Sequence, residues 1–256
     1  MTSGATARAV GGGLLRSRRV CVIPPERPII VTVDGPAGTG KSSVSRELAH
    51  RLGLDFLDTG AMYRAATAIM LDKGLTISQP DPLVATVMSA DLHFDWTQDP
   101  PVILAWEQPI DHRIRDADVT EHVSPVSAIR ELREHMVIKQ RIIGHQHPRL
   151  VTEGRDQGSV VFPNAEVKFF LWATPGVRAR RRAEQLRASG VQGVDEARLR
   201  EEIEVRDRSD STRAVGPLVC PQDAIRIDTS DLSFDEVVTA LESAVRTRVL
   251  DRKSVV

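Results

Sequence analysis

The sequence predicts an α/β fold, a three-layer sandwich in which helices cover both faces of a mostly parallel sheet. Three observations carry the prediction. Short β-rich runs alternate with helical patterns from Ile29 onward. The first run, "IIVTVD", passes through "GPAGTGKSS" directly into a helical pattern, so a glycine-rich turn joins a strand to a helix. One pair of runs, "DLHFDW" and "PVILAW", breaks the alternation and reads as a hairpin joined at "TQDPP", part of an inserted subdomain.

The elements follow in order. "IIVTV" is long enough for one buried strand. In "SSVSRELAHRLG", Val44, Leu48 and Leu52 recur every four residues and Gly53 stops the helix. "LDFLD" is strand-like, and "GAMYRAATAIMLDKG" is a second helix ending at Gly74. A third helix starts at "QPDP" and fills the 80s, before the hairpin. "VSAIRELREHMVIKQRII" reads as one long helix, and "RLVTEG" and "VKFFLWA" as strands. Helices are expected near 176–189 and 195–209, then a last strand at "AIRIDTS" and a last helix at "SFDEVVTALESAV". Ligands of such sheets gather at the carboxyl ends of strands, so the residues just after strands carry the information.

Composition narrows the function. A chain of 256 residues suits one domain or one domain with insertions, and 41% apolar residues can build its core. The net charge of −1, with one Tyr, six Phe and three Trp, argues against a broad nucleic-acid surface. No apolar stretch approaches the roughly 18 residues of a membrane span. Cys21 and Cys220 have neither metal nor disulfide-framework spacing, and a reducing, cytoplasmic setting is expected. Residues 1–27 stand apart, with "GGG", Arg8, Arg16, Arg18, Arg19 and Arg27 against the single acid Glu26. They read as a disordered leader ahead of a folded domain over 28–256. Their bias resembles a transit peptide, but a mobile tail or an early start accounts for it more simply.

"GPAGTGKS" fits G-x-x-x-x-G-K-[ST]. Such a turn wraps an anion in successive backbone N–H groups at the positive end of a helix. Lys41 can reach the β- and γ-phosphates of a nucleotide, and Ser42 can ligate Mg²⁺. The alternative is a plain turn with a solvated lysine. In "LDFLDTGAMYR", Asp58, Thr59 and Arg64 follow a strand; Asp58 or Thr59 could equally cap a helix. In "LVTEGRDQGSVVFP", Glu153, Arg155 and Asp156 follow another, with Gly154 and Gly158 loosening the backbone. A carboxylate there could hold Mg²⁺ through water, and a guanidinium could grip a phosphate; the alternative is a structural ion pair. "GVRARRRAEQLR" and "EVRDRSDSTR" concentrate arginine around "ASGVQG", fitting a flap that brings positive charge to a migrating phosphoryl group. No nucleophile–base set is visible, and the seven histidines read as surface. A phosphate acceptor needs no strong base, so that absence favours phosphate over alcohol as the acceptor.

Five segments in sequence resemble the bacterial cytidylate (CMP/dCMP) kinases across roughly residues 29–245. They are "VDGPAGTGKSS", "LDTGAMYR", "TEGRDQGSVVFPNAEVKFFLWA", "RARRR" and "RDRSDSTRAVGPL". The resemblance implies a P-loop core, an NMP-binding insertion at about 84–126 and a short helical lid at about 176–198. It implies a monomer that transfers phosphate from ATP to CMP or dCMP with Mg²⁺, and partners no larger than nucleotides. ATP would lie on Gly35, Pro36, Ala37, Gly38, Thr39, Gly40, Lys41, Ser42 and Ser43. Arg64, Arg155 and Arg213 match positions that grip the CMP phosphate, Thr59, Arg206 and Asp210 those around the sugar, and Ser124, Arg133 and Asp156 those that read cytosine. Arg178 and Arg182 would neutralise the moving group, and Ser42 with Glu153 or Asp156 would hold the metal. Glu153 stands where the family carries Asp, and Thr59 where many members carry Ser. The rivals are a related kinase acting on UMP, AMP or a sugar-like alcohol, a regulatory nucleotide-binding protein that has lost transfer, and a nucleic-acid-binding ATPase.

Overall fold

The computed structural model describes Ile23 and residues 27–251. The chain begins with β1 (Ile29–Asp34), α1 (Lys41–Leu52), β2 (Asp55–Asp58), α2 (Thr59–Asp72) and α3 (Pro80–Ser89). The short strands β3 (His93–Asp95), β4 (Val102–Ala105) and β5 (Gln108–Pro109) follow, then α4 (Ala117–Val126) and α5 (Arg130–Gln146). Next come β6 (Arg149–Gly154), a π-helical turn (Gln157–Val161), β7 (Val167–Trp172), α6 (Pro175–Ala188) and α7 (Glu196–Thr212). β8 (Ile225–Asp228) and α8 (Phe234–Asp251) end the described chain.

The main sheet is wholly parallel, in the order β2-β6-β1-β7-β8, as the alternation predicts. The three central strands β1, β6 and β7 are covered on both faces and mostly buried along their length, whereas the edge strands β2 (DFLD) and β8 (IRID) alternate and are partly exposed. One layer packs Val44 and Leu48 of α1 and Val238 and Leu241 of α8 onto Val31, Val33 and Phe169. The other packs Met62 and Ile69 of α2, Leu132 and Met136 of α5 and the small antiparallel sheet into a second cluster. That small sheet pairs Phe94 with Ile103, the hairpin read from the sequence, and adds β5, which was not foreseen.

Three local expectations need correction. The long helix starts later than its apolar pattern suggests: α5 begins at Arg130 rather than Val126, and the separate helix α4 that ends at Val126 was not foreseen. Between them Ala128 N donates to Pro125 O and Ile129 N to Val126 O, a tight turn that the unbroken apolar pattern conceals. Gly154 and Gly158 do not loosen their loop. A Cβ on either would lie 2.7 Å from Thr59 Oγ1 or 2.8 Å from Thr32 Oγ1, so they permit close packing. His147 is not a free surface group, since its ring stacks on Trp96 at 3.8 Å and its Nδ1 lies 2.9 Å from Asp55. The expected leader lies outside the described residues, except that Ile23 is packed in the first cluster and Arg27 donates to Val249 O.

Candidate active site

Register brings three strand ends together. Asp58 of β2 pairs with Glu153 of β6, and Gly154 pairs with Asp34 of β1. Directly after Asp34, the loop Gly35–Gly40 turns into α1. Gly35 has φ 148°, and a Cβ there would sit 2.0 Å from Leu171 O, so no side chain fits. Gly40 caps α1 without a side-chain partner, leaving the first helical N–H groups and their positive end toward the loop. Thr39 Oγ1 and Lys41 Nζ both donate to Pro36 O, at 3.1 and 2.8 Å. Burial holds the Lys41 ammonium down to about 7, and nearby Arg155 adds to the effect. Such a cation gains by meeting a polyphosphate.

The Ser42 hydroxyl donates to Glu153 Oε1 at 2.6 Å. Glu153 is buried, and burial, then Asp58, pushes its carboxyl well above the usual range, against the pull of Lys41 and Ser42. Thr59 Oγ1 donates to the Glu153 carbonyl at 2.7 Å, while Asp58 caps α2 by accepting from Ala61 N. The buried Asp34 carboxylate accepts from Gln157 N at 2.9 Å and Gly158 N at 2.7 Å, fixing the π-helical turn to the phosphate loop's strand. Burial raises Asp34 to about 6 despite those two amides.

Cations converge beside these strand ends. Arg155 Nε donates to Asp210 Oδ2 at 2.8 Å, and Arg213 Nη1 lies 3.9 Å from the other Asp210 oxygen. Arg64, on α2, donates to Thr120 Oγ1 at 2.9 Å and feels the charges of Arg155 and Arg182. Arg206 is lowered to about 10 by burial, then by Arg155, with Arg64 contributing. Its Nε is buried without a hydrogen-bond partner, as are Arg213 Nη2 and Arg133 Nε. Buried donors without acceptors are costly, and a ligand rich in acceptor oxygens would satisfy them.

Arg133 is 1% exposed and donates to Asp156 through Nη2 and to Ser127 O through Nη1 at 3.1 Å. Asp156 also lies 3.9 Å from Arg213 Nη2. Ser124 stands apart from this pair: on α4, its Oγ donates to Ser209 Oγ of α7 at 3.4 Å. Arg178 is not exposed on a flap. It is 2% exposed, with Nη1 and Nη2 on Asp207 at 3.0 and 2.5 Å, Nη1 on Ala37 O at 3.0 Å and Nε on Ala173 O at 2.9 Å. It therefore clips α7 to the phosphate loop, whereas Arg182 is exposed.

The family model for cytidylate kinase matches residues 31–247. The chain belongs to the cytidylate kinase family. It is 43% identical over 224 residues to a cytidylate kinase of Nocardia farcinica, covering 88% of this chain and 96% of that one. It is 44% identical over 224 residues to one from Rhodococcus opacus, covering 86% and 96%. A cytidylate kinase of Methylococcus capsulatus is 42% identical over 217 residues, covering 85% and 96%.

Within this kinase the Ser42–Glu153 pair fits a hard divalent cation, because both are oxygen donors beside the phosphate loop. Asp156 is engaged by Arg133 instead. Among the described residues no group of three or more His, Cys, Asp or Glu could hold a metal ion. No helix of the described residues is long and apolar enough to cross a membrane. The sequence reading missed Asp34 and Asp207. The "VD" ahead of "GPAG" marked the first, as an acid at a strand's carboxyl end; the second lies inside "RDRSDSTR", but its partner Arg178 is 29 residues away.

Proposed function

We propose that this kinase transfers the γ-phosphoryl group of ATP to the phosphate of CMP or dCMP, giving ADP and CDP or dCDP. The observation that carries the reading is the set of buried guanidinium nitrogens without acceptors on Arg133, Arg206 and Arg213, one cluster away from the phosphate loop. Two phosphate sites on adjacent strand ends suit one phosphate attacking another.

In this reading the loop Gly35–Ser43 and Lys41 hold the ATP phosphates. Arg64, Arg155 and Arg213 hold the acceptor phosphate, Thr59, Arg206 and Asp210 surround the sugar, and Arg133, Asp156 and Ser124 face the base. An acceptor phosphate oxygen is already anionic, so no general base is needed; orientation and neutralisation of charge suffice. That oxygen forms the new P–O bond as the bond to the departing ADP breaks. Mg²⁺ would be held by Ser42 and Glu153 and would neutralise charge on the nucleotide phosphates. Arg182 supplies positive charge to the migrating group from the α6–α7 segment. Arg178 serves by holding Ala37 and Asp207. The insertion near 84–126 would carry part of the acceptor site, and the segment near 176–198 would close over the donor.

The test is direct: mix enzyme, ATP, Mg²⁺ and CMP and separate the products. Equimolar ADP and CDP are expected. Arg155→Ala should lower kcat/KM for CMP by about a hundredfold or more, since it removes a preorganised cation from the acceptor phosphate. Wild-type turnover in that variant would overturn the phosphate-clamp assignment.

A further inference from the structure

We propose that Tyr63 is a positioning residue for acceptor recognition: the face of its ring carries the Arg133 guanidinium and fixes the plane in which Arg133 and Asp156 present themselves to the base. The inference rests on the reading that Arg133 and Asp156 face the acceptor base.

The geometry supports a platform. Arg133 Cζ lies over the Tyr63 ring, 5.2 Å from its centroid, within cation–π range. Both residues are buried, Arg133 at 1% and Tyr63 at 8% exposure, so the attraction is not weakened by water. Hydrogen bonds hold Arg133 at Nη1 and Nη2 only, while its Nε is buried and unpartnered. Two bonds at one end of a planar group leave its tilt free, and a ring face beneath removes that freedom. Gly216 packs the same pair: with φ 57°, a Cβ there would sit 2.2 Å from Asp156 Oδ2 and 2.6 Å from Arg133 Nη2. The pair is thus bounded by a ring and by bare backbone.

Tyr63 is itself held by packing in the apolar cluster of α2 and α5. It lies on α2, one residue before Arg64, and its hydroxyl is buried near Gln140 of α5. Gln140 Oε1 accepts from Gln157 Nε2 at 3.0 Å, and Gln157 Oε1 accepts from Thr152 Oγ1 at 3.0 Å. Gln157 directly follows Asp156. That buried chain of bonds packs beside the platform and adjoins the carboxylate that Arg133 meets, although the Tyr63 hydroxyl itself makes no hydrogen bond.

The experiment compares kcat/KM for CMP and UMP in Tyr63→Leu and Tyr63→Phe. Tyr63→Leu removes the ring, and the CMP:UMP ratio should fall about tenfold with the KM for ATP unchanged. Tyr63→Phe keeps the ring and should restore the ratio. Equal losses for both acceptors in Tyr63→Leu would mean a structural role only and would overturn the inference. Arg133→Met separates this failure from that of the underlying reading. If Arg133→Met loses the CMP preference while Tyr63→Leu keeps it, Tyr63 alone is wrong. If both keep it, the base-reading assignment of Arg133 is wrong and the inference falls with it. Should Tyr63→Leu not fold, the wild-type sequence still decides. Tyr63 is the only tyrosine in the chain, so uniform 3-fluorotyrosine labelling gives a single ¹⁹F resonance. CMP should shift it and ribose 5-phosphate, which lacks the base, should not; identical responses would overturn the proposal.

Discussion

Lys41 is a buried cation that the fold tolerates for the sake of a ligand. Its pKa falls from an ordinary 10.5 to about 7 in the folded chain. A base with a lowered native pKa costs stability as pH falls. The penalty is absent above 10.5, grows downward from there and is complete below about 7. Lys41→Met should therefore raise Tm by about several degrees at pH 6, with the gain fading toward pH 10, while phosphoryl transfer is lost. Thermal unfolding at a series of pH values checks the sign. The same shift predicts that ATP binding at pH 8 takes up close to one proton, about the full ammonium charge restored by the phosphates. Calorimetry in buffers of different ionisation enthalpy would show it in wild type and not in Lys41→Arg. Lys41, Ser42 and Glu153 were legible in the sequence because each lies in, or directly after, a strand-ending motif. Asp34's bond to the π-helical turn was not, because its partners lie 123 and 124 residues away.

Among the elements, α6 and α7 are tied to the phosphate loop by one ion pair. Arg178 of α6 bonds Asp207 of α7 and the Ala37 carbonyl together. Breaking one partner of a buried charged pair leaves the other exposed to its full desolvation cost. Asp207→Asn should raise the KM for ATP by about tenfold and change that for CMP by less than about threefold, in line with the loss of a charge-assisted bidentate contact. Initial rates with each nucleotide varied in turn will tell. Equal changes in both KM values would mean that the clip serves the whole fold rather than the donor side. The parallel strands and most helices were readable from apolar period and glycine stops. α4 was not: Val119, Val123 and Val126 do keep helical spacing, but Pro125 and the polar "ADVTEH" obscured it. The split from α5 depends on backbone bonds at Ala128 and Ile129 that no side-chain pattern records.

At the scale of the whole molecule, a net charge of −1 conceals strong local separation of charge. Arg64, Arg155, Arg206 and Arg213 crowd one end of the sheet, and the lowered pKa of Arg206 reflects burial and mutual repulsion. A ligand phosphate relieves both, so CMP should stabilise the native chain. At a hundred times its Kd the gain is about 2.7 kcal/mol, or about 5–10 °C in Tm for a chain of this size. Cytidine, lacking the phosphate, should give little of that shift; a shift equal to that of CMP would argue that the arginines are not the phosphate site. The central claim concerns which nucleotide receives the phosphate. It is tested most directly by initial rates of ADP release with ATP, Mg²⁺ and, in turn, CMP, dCMP, UMP and AMP. The account predicts fast turnover with CMP and dCMP, weak turnover with UMP and none with AMP. Equal rates with all four, or none with any, would contradict it.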